Sequence, residues 1–312
     1  MWDIFQKTLP FFALIGLGYG AGRTRFFPEE ATAYLTKFVF YFALSAMLFR
    51  FAANLSIGEL FQWDFIVAYL CASTVVYLLA TAVALYRSRG MAEAAVEAQS
   101  AVIGNVGFLG IPMLALLLGE QAVGPVMTVL TVDLIVFSSL IVILITISRE
   151  GRMRLAVLKT IGLGLLANPM IVSISLGLLW SATGWAIPVP VDEFLSTLGA
   201  AATPGALFAI GASLAAKSAE RLSVASWISF CKLVLHPAAV AFSAIVIFKI
   251  EPFAGGVMIA AASLPVAGNV YILAQHYRVA PQRVSAAILV STTLSIITVS
   301  MVIAWVSVRM GL

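Results

Sequence analysis

Charged residues are scarce in this sequence. Asp, Glu, Lys and Arg together make up 10% of its 312 residues, whereas about 25% is typical of soluble domains. Polar stretches long enough for a separate soluble domain are also lacking, because only short polar gaps separate the apolar runs. The composition argues against a nucleic-acid-binding module and a soluble catalytic domain. The two cysteines, Cys71 and Cys231, both lie in apolar runs and indicate no disulfide framework.

Long hydrophobic runs fill most of the chain. Hydrophobic residues account for 62% of the sequence, and the mean hydropathy is +1.06. Runs of about 20 apolar residues are typical of transmembrane helices. The sequence therefore predicts an all-α membrane protein whose ten transmembrane helices are embedded in the lipid bilayer. The ten predicted segments are 4–22, 31–52, 63–86, 97–118, 124–148, 160–182, 193–216, 226–248, 254–276 and 285–307.

Positive residues are distributed unevenly between the two sets of loops that ten crossings create. One set holds Arg23, Arg25, Arg87, Arg89, Arg149, Arg152, Arg154, Lys159, Lys217, Arg221, Arg278 and Arg283. The other set, which includes both termini, holds Lys7, Arg50, Lys249 and Arg309. Because Lys and Arg are enriched in cytoplasmic loops, both termini are predicted to face the periplasm or exterior of a bacterial inner (plasma) membrane. This insertion bias accounts for the net charge of +4 without a nucleic-acid partner.

Two short motifs recur, in the same order, in the second half of the chain. The stretch VIGNV at 102–106 returns as VAGNV at 266–270, and ALSAMLF at 43–49 returns as ATPGALF at 202–208. The two offsets, 164 and 159 residues, differ by no more than a small change in loop length. The recurrence indicates an internal repeat of five helices.

This repeat divides the chain into two halves of opposite orientation. Because five is an odd number of crossings, the second half enters the membrane from the other side. The sequence thus predicts inverted five-helix repeats at 1–148 and 160–312, joined by a cytoplasmic connection at 149–159.

Helix-breaking residues lie in the middle of segments 4 and 9. Residues 102–112 read VIGNVGFLGIP, and residues 261–275 read AASLPVAGNVYILAQ. An unsatisfied peptide group in hydrocarbon costs several kcal/mol, so irregular backbone persists there only against protein or a water-filled cavity. Glycines at this spacing also serve close helix packing. Their recurrence in register favours instead two broken helices, the best indication in a sequence of a transporter's central site.

The breaks themselves predict an anion-binding site. A helix that restarts at the midplane presents free N–H groups and a partial positive charge, which suit a carboxylate. Asn105 and Asn269 can donate and accept hydrogen bonds while remaining neutral. The candidate substrate-binding residues are Asn105, Gly104, Gly107, Pro112, Pro265, Gly268, Asn269 and Tyr271.

Asp133 is an ionisable residue close to the middle of segment 5. A carboxyl at this depth in a membrane favours a role in coupling to protons or sodium. The alternative is a structural carboxyl that is hydrogen-bonded to the hydroxyls of Thr128, Thr131 or Ser138. No other cofactor is expected, and the sequence assigns no metal.

Lys232 and His236 are four residues apart in segment 8 and therefore share a helix face. We consider them candidate ion-coupling residues, either in a path for the anion or as a counter-charge to Asp133. The alternative is that Lys232 extends its ammonium group to the membrane interface.

The stretches NVGFLGIP at 105–112 and LPVAGNVYILA at 264–274 resemble the auxin efflux carrier family of membrane transporters, in its compact bacterial form. The resemblance implies that helices 4 and 9 cross at their breaks. It also implies an elevator mechanism, in which a transport domain (helices 3–5 and 8–10) moves against a scaffold (helices 1, 2, 6 and 7), within a homodimer. The substrates of the family are organic anions, including dicarboxylates in bacteria and indole acetate in plants.

Two features depart from this family. Ser45 stands where segment 2 often carries a proline, which leaves the bending of that segment open. The connection at 149–159 is short and lacks the long hydrophilic loop of many plant members. Auxin specificity is therefore not supported.

The leading interpretation is a secondary active or facilitative transporter of a small carboxylate or dicarboxylate, because no GxxxxGK[ST] motif for ATP is present. An enzyme is not expected: in GASL at 211–214, Leu214 replaces the second glycine of a GxSG motif, and there is no HExxH. A channel is not favoured either, because it would need a continuous polar lining, whereas the polar residues of this sequence cluster near the two breaks. A sodium-coupled bile-acid-type symporter or a sodium/proton antiporter remains the alternative, although those carriers usually have more acidic residues in the core.

Overall fold

The computed structural model describes residues 2–55, 62–150, 155–215 and 222–310. Within these ranges the chain is helical apart from short turns, and its one β-type contact is an isolated bridge. The predicted all-α class is therefore confirmed. Four of the positive residues that contribute to the predicted orientation lie outside the described ranges: Arg152, Arg154, Lys217 and Arg221.

Helices lie in each of the ten predicted segments. The first is α1 (Trp2–Arg23). Six others are long and apolar enough to cross a membrane: α2 (Glu29–Ala53), α3 (Trp63–Tyr86), α5 (Glu120–Arg149), α7 (Val189–Ala215), α8 (Leu222–Ile247) and α10 (Pro281–Met310). Three segments are divided: α4a (Met91–Val102) and α4b (Val106–Leu118), α6a (Leu155–Ala167) and α6b (Pro169–Ala182), and α9a (Pro252–Ala262) and α9b (Gly268–His276).

Six or seven of the described helices meet the length and apolarity of a membrane crossing. The seventh is the pair α6a and α6b, which is bent by 73°. The interruptions leave α4 and α9 in pieces that are individually too short to cross, since spanning the hydrocarbon takes about 20 helical residues.

The bend in α6 is a correction to the sequence analysis, which predicts one uninterrupted segment at 160–182. Asn168 ends α6a, and its side-chain oxygen accepts a hydrogen bond of 3.0 Å from the backbone N–H of Met170. Pro169 follows as the first residue of α6b, where its missing N–H leaves no hydrogen bond unmade. An asparagine cap followed by proline therefore starts a second helix here.

Helix α4a begins at Met91, six residues before the predicted start at 97. The sequence analysis excluded its first turns, which contain Glu93, and began the segment at Glu97. Glu97 is nevertheless 1% exposed, because its carboxylate accepts hydrogen bonds from Arg87 and, at 3.0 Å, from Arg283. Arg283 also donates to Glu93 at 2.8 Å. These four residues join α3, α4a and α10, and a buried charge is tolerated here because it is paired.

The helices that the family resemblance assigns to the scaffold pack backbone against backbone. A Cβ atom at Gly18 of α1 would lie 2.1 Å from the carbonyl oxygen of Phe208, and one at Gly211 of α7 would lie 1.9 Å from that of Ile15. Only glycine permits this approach of α1 to α7. Arg50 and Asp192 add an ion pair of 2.6 Å between α2 and α7.

In the described ranges, five π-helical turns interrupt the regular hydrogen bonding of the helices. They are Val39–Ala43, Val106–Gly110, Asp133–Phe137, Cys231–Leu235 and Ser243–Ile247. The first occurs next to Ser45, whose hydroxyl donates to the carbonyl of Phe40 at 3.1 Å. Segment 2 therefore continues through a π turn at the place where the family resemblance leads one to expect a proline. Such turns are frequent at functional sites, and two of these contain Asp133 and Lys232.

We expect Glu97→Gln to destabilise the protein. The substitution removes one charge from a buried ionic cluster and leaves Arg283 without a full counter-charge, at a cost of about 3 kcal/mol. The midpoint of thermal unfolding in detergent should fall by about 5 °C or more. Glu29→Gln, an exposed acid at the start of α2, is the matched control and should leave the midpoint unchanged. Equal midpoints for both variants would contradict a stabilising role for the cluster.

Candidate functional site

The break in α4 consists of three residues, Ile103 to Asn105. Asn105 has φ −76° and ψ 55°, the conformation of an inverse γ-turn, and the N–H of Val106 donates across it to the carbonyl of Gly104 at 2.8 Å. The chain then resumes with the π turn Val106–Gly110 at the start of α4b. The predicted interruption of segment 4 is therefore present.

The break in α9 extends from Ser263 to Ala267. Pro265 lies at its centre, where no N–H is available to continue the helix. The N–H of Val266 donates to the hydroxyl of Ser291 in α10 at 3.1 Å. Helix α9b then begins at Gly268, and the residue that precedes it, Ala267, offers no side-chain cap to the first N–H groups. The predicted interruption of segment 9 is present as well.

The two breaks are hydrogen-bonded to each other. The N–H of Asn105 donates to the carbonyl of Pro265 at 2.8 Å, and the N–H of Ala267 donates to the carbonyl of Ile103 at 3.1 Å. Gly104 and Val266 form an antiparallel bridge between these bonds. The helices thus meet at their breaks, as the family resemblance implies, and four peptide groups that hydrocarbon could not satisfy become partners.

Open space adjoins the start of α9b. Gly268 is exposed, and a Cβ atom added there would meet nothing within 4 Å. Asn269 is half-buried, and its amide oxygen is buried with no hydrogen-bond partner in the part of the chain that the structure describes. Because amide oxygen and nitrogen can exchange places by a 180° rotation, this side chain can offer either a donor or an acceptor to a ligand.

The other candidate substrate-binding residues have different surroundings. A Cβ atom at Gly104 would lie 3.2 Å from the Cε atom of Lys232, and one at Gly107 would lie 2.4 Å from the Cε atom of Met170 in α6b. Both glycines therefore permit close packing, which the sequence analysis considered as their alternative role. Asn105 and Pro265 are buried at the crossing. Pro112 is half-buried in α4b, where regular α-helix begins after the π turn. The hydroxyl of Tyr271 accepts a hydrogen bond from Gln275 at 2.8 Å.

Lys232 lies directly behind the crossing. Its side chain is fully buried, and its ammonium group donates to the carbonyl of Ala262, the last residue of α9a. The Nζ atom is also 3.1 Å from Nδ1 of His236, as their shared helix face predicts. The alternative in which Lys232 reaches the membrane interface is wrong, because the freed carbonyl of α9a provides an acceptor in the interior.

Asp133 is 2% exposed and begins the π turn in α5. Its Oδ1 atom accepts a hydrogen bond from the hydroxyl of Tyr69 at 2.9 Å, and its Oδ2 atom is buried with no partner among the described residues. The hydroxyls of Thr131 and Ser138 donate to backbone carbonyls. They are thus not the partners that a structural role for the carboxyl predicted.

Tyr69 and Ser73 of α3 connect the ionisable residues. The ring of Tyr69 packs edge-on against that of His236, with centroids 5.8 Å apart, and Ser73 is 2.9 Å from Nε2 of the same histidine. We call Tyr69, Ser73, Asp133, Lys232 and His236 the polar cluster. The sequence analysis missed its first two members. Their spacing of four residues, which places two hydroxyls on one face of an apolar helix, is the signal that could have found them.

The polar cluster does not resemble a metal site. Among the described residues there is no group of three or more His, Cys, Asp and Glu side chains that could hold a metal ion.

Comparison with known proteins agrees with the paired breaks. The family model described as "Membrane transport protein" matches residues 3–303. The chain is 32% identical over 303 residues to the "Putative malonate transporter" of Rhizobium meliloti (strain 1021), an alignment that covers 96% of this chain and 95% of the relative. Two broken helices that meet inside an apolar helical protein, together with a family match over nearly the whole length, establish that this chain belongs to the auxin efflux carrier family of membrane transport proteins.

Proposed function

We propose that this protein is a secondary transporter that moves a small carboxylate or dicarboxylate across the bacterial inner membrane by alternating access. The observation that carries the proposal is the uncapped start of α9b, where Gly268 faces open space beside Asn269, whose amide oxygen has no partner among the described residues. The first N–H groups of a helix are free of intrahelical partners and carry a partial positive charge. An anion is therefore the ligand that this place suits.

A dicarboxylate is the first substrate to test. The name of the Rhizobium meliloti relative refers to malonate, and that relative is similar over nearly its whole length. The main donors are the first N–H groups of α9b, and a second carboxylate group would be received by the side-chain amide of Asn105 on the α4 side of the crossing.

The proposed movement is of the elevator type. Ten crossings would form two inverted repeats, with both termini outside, and helices α3 to α5 and α8 to α10 would move against α1, α2, α6 and α7 within a homodimer. The backbone contact between α1 and α7, and the ionic cluster that joins α3, α4a and α10, support two such rigid groups. The hydroxyls of Thr8 in α1 and Ser300 in α10, 2.9 Å apart, lie at their boundary. That contact also supports termini on the same side of the membrane.

Asp133 is the proposed coupling residue, with Lys232 and His236 as its partners. The sodium-coupled symporter and the sodium/proton antiporter are less well supported. Sodium would bind to freed carbonyls at the end of a broken helix, but the ammonium group of Lys232 already occupies that position on Ala262. Coupling to protons, or uniport, agrees better with this arrangement.

The substrate site is tested by uptake of radiolabelled malonate into proteoliposomes. We expect Asn105→Ala and Asn269→Ala each to reduce uptake about tenfold, the effect of losing one or two hydrogen bonds to a charged ligand. Asn54→Ala, at the exposed end of α2, is the matched control and should transport as the unmodified protein does. Unchanged uptake in both site variants, with malonate transported normally, would place the substrate elsewhere.

Coupling is tested with Asp133→Asn, which keeps the shape of the side chain and removes its charge. We expect an imposed proton gradient to accelerate uptake by the unmodified protein but not by the variant, while exchange of substrate without a gradient persists. Asp64→Asn, in the exposed first turn of α3, should retain the response. If Asp133→Asn still responded fully to the gradient, the carboxyl would have no part in coupling. Acceleration by sodium alone would favour the sodium-coupled alternative.

A further inference from the structure

A cavity lies away from the crossing of α4 and α9, at the end of the helices where both termini are predicted to lie. It has a volume of about 220 Å³ and is formed by the ends of α8 and α10 and the beginning of α9a. Lys249, which follows α8, and Arg309, at the end of α10, both line it, and both side chains are exposed. Two of the four positive residues predicted on this side of the membrane therefore converge on one cavity.

The two cations have no carboxylate partner among the described residues. The adjacent acid, Glu251, uses its two carboxylate oxygens to accept hydrogen bonds of 2.9 and 2.8 Å from the N–H groups of Phe253 and Ala254. The guanidinium of Arg309 lies over the ring of Trp305, 5.9 Å from its centroid. The cavity thus presents positive charge that nothing within it neutralises.

Lys249 is held at the mouth of this cavity by an unusual backbone conformation. Its φ is 50°, in the left-handed region that glycine or asparagine adopts more readily. This conformation ends α8, because the N–H of Ile250 donates across it to the carbonyl of Ala244 at 2.8 Å, and the turn places Lys249 beside the cavity.

The remaining walls are apolar. Ile245, Ile250 and Ile259 line the cavity beside the cations, and Gly255 contributes backbone without a side chain. A Cβ atom at Gly255 would make only ordinary contact, 3.7 Å from Ile250. The cavity therefore combines a positive mouth with a hydrocarbon-like interior, and its ligand should have an anionic head and an apolar tail.

We propose that this cavity binds an anionic phospholipid, whose phosphate lies between Lys249 and Arg309 and whose acyl chain lies against the isoleucines. Basic residues near the membrane surface attract anionic headgroups. A small dicarboxylate fits less well, because it has no apolar part to bury against this wall. The proposal needs only that the chain is embedded in a membrane, and it does not depend on the substrate or coupling proposed above.

The experiment is a lipid titration of the purified full chain, followed by native mass spectrometry. The probes are phosphatidylglycerol and phosphatidylcholine with identical acyl chains. We expect phosphatidylglycerol to bind about tenfold more tightly, and Lys249→Gln with Arg309→Gln to reduce its affinity to that of phosphatidylcholine. Lys7→Gln, an exposed cation on the same predicted side, is the control and should retain the preference. Equal affinity for the two lipids, or full retention of the preference in the double variant, would overturn the proposal.

Two further measurements separate a lipid from a soluble anion. Gly255→Leu fills the interior while both cations remain, so it should weaken binding of phosphatidylglycerol without lowering the thermal midpoint. Millimolar inorganic phosphate or succinate should leave the bound lipid in place. Displacement of the lipid by either anion, together with unchanged lipid binding in Gly255→Leu, would identify a site for soluble anions and reject the lipid.

Discussion

The hydrogen bonds between the breaks of α4 and α9 are the interaction on which the rest of the site depends. Without them, the peptide groups of Ile103, Asn105, Pro265 and Ala267 would lie unsatisfied in an apolar interior, at several kcal/mol each. Each break provides the acceptor and the donor that the other lacks. Neither helix could be interrupted alone, so the two interruptions stabilise each other, and both halves of the chain are needed to form one site.

The helix ends at the crossing differ in whether their backbone groups already have partners. At the end of α9a, Lys232 donates to the freed carbonyl of Ala262 and so supplies positive charge where a helix dipole is negative. In α4, the carbonyl of Asn105 accepts from the N–H groups of Leu109 and Gly110, at 3.1 and 3.0 Å, so the restart of that helix is partly satisfied by its own π turn. Gly268, at the start of α9b, lacks a side-chain cap. The anion-binding capacity of the crossing is therefore concentrated on α9b.

The sequence predicted the breaks because glycine, asparagine and proline at these positions oppose a helix in any context. It could not predict that Ile103 pairs with Ala267, since the register of two distant segments depends on how the whole bundle packs. The position of the Lys232 ammonium group could not be predicted for the same reason. It stays in the interior because it has an acceptor there, the carbonyl of Ala262, which lies 30 residues away in the chain. Tyr69 was missed because one tyrosine in an apolar helix is usually part of the core. Its spacing from Ser73 could have drawn attention to it, but its contact with Asp133 is visible only in the structure.

The contacts within the two groups of helices proposed above, α3 to α5 with α8 to α10 and α1, α2, α6 and α7, differ from the contacts between them. Buried ion pairs, such as Arg283 with Glu97, lie within one group, and separating such a pair would cost about 3 to 5 kcal/mol. Between the groups, the rings of Phe40 and Phe108 stack with their centroids 6.1 Å apart, and the flexible end of the Met170 side chain lies against Gly107. Apolar contacts of this kind can be exchanged for similar ones without exposing a charge. A boundary made mainly of such contacts is what a domain needs if it is to slide while its interior remains rigid.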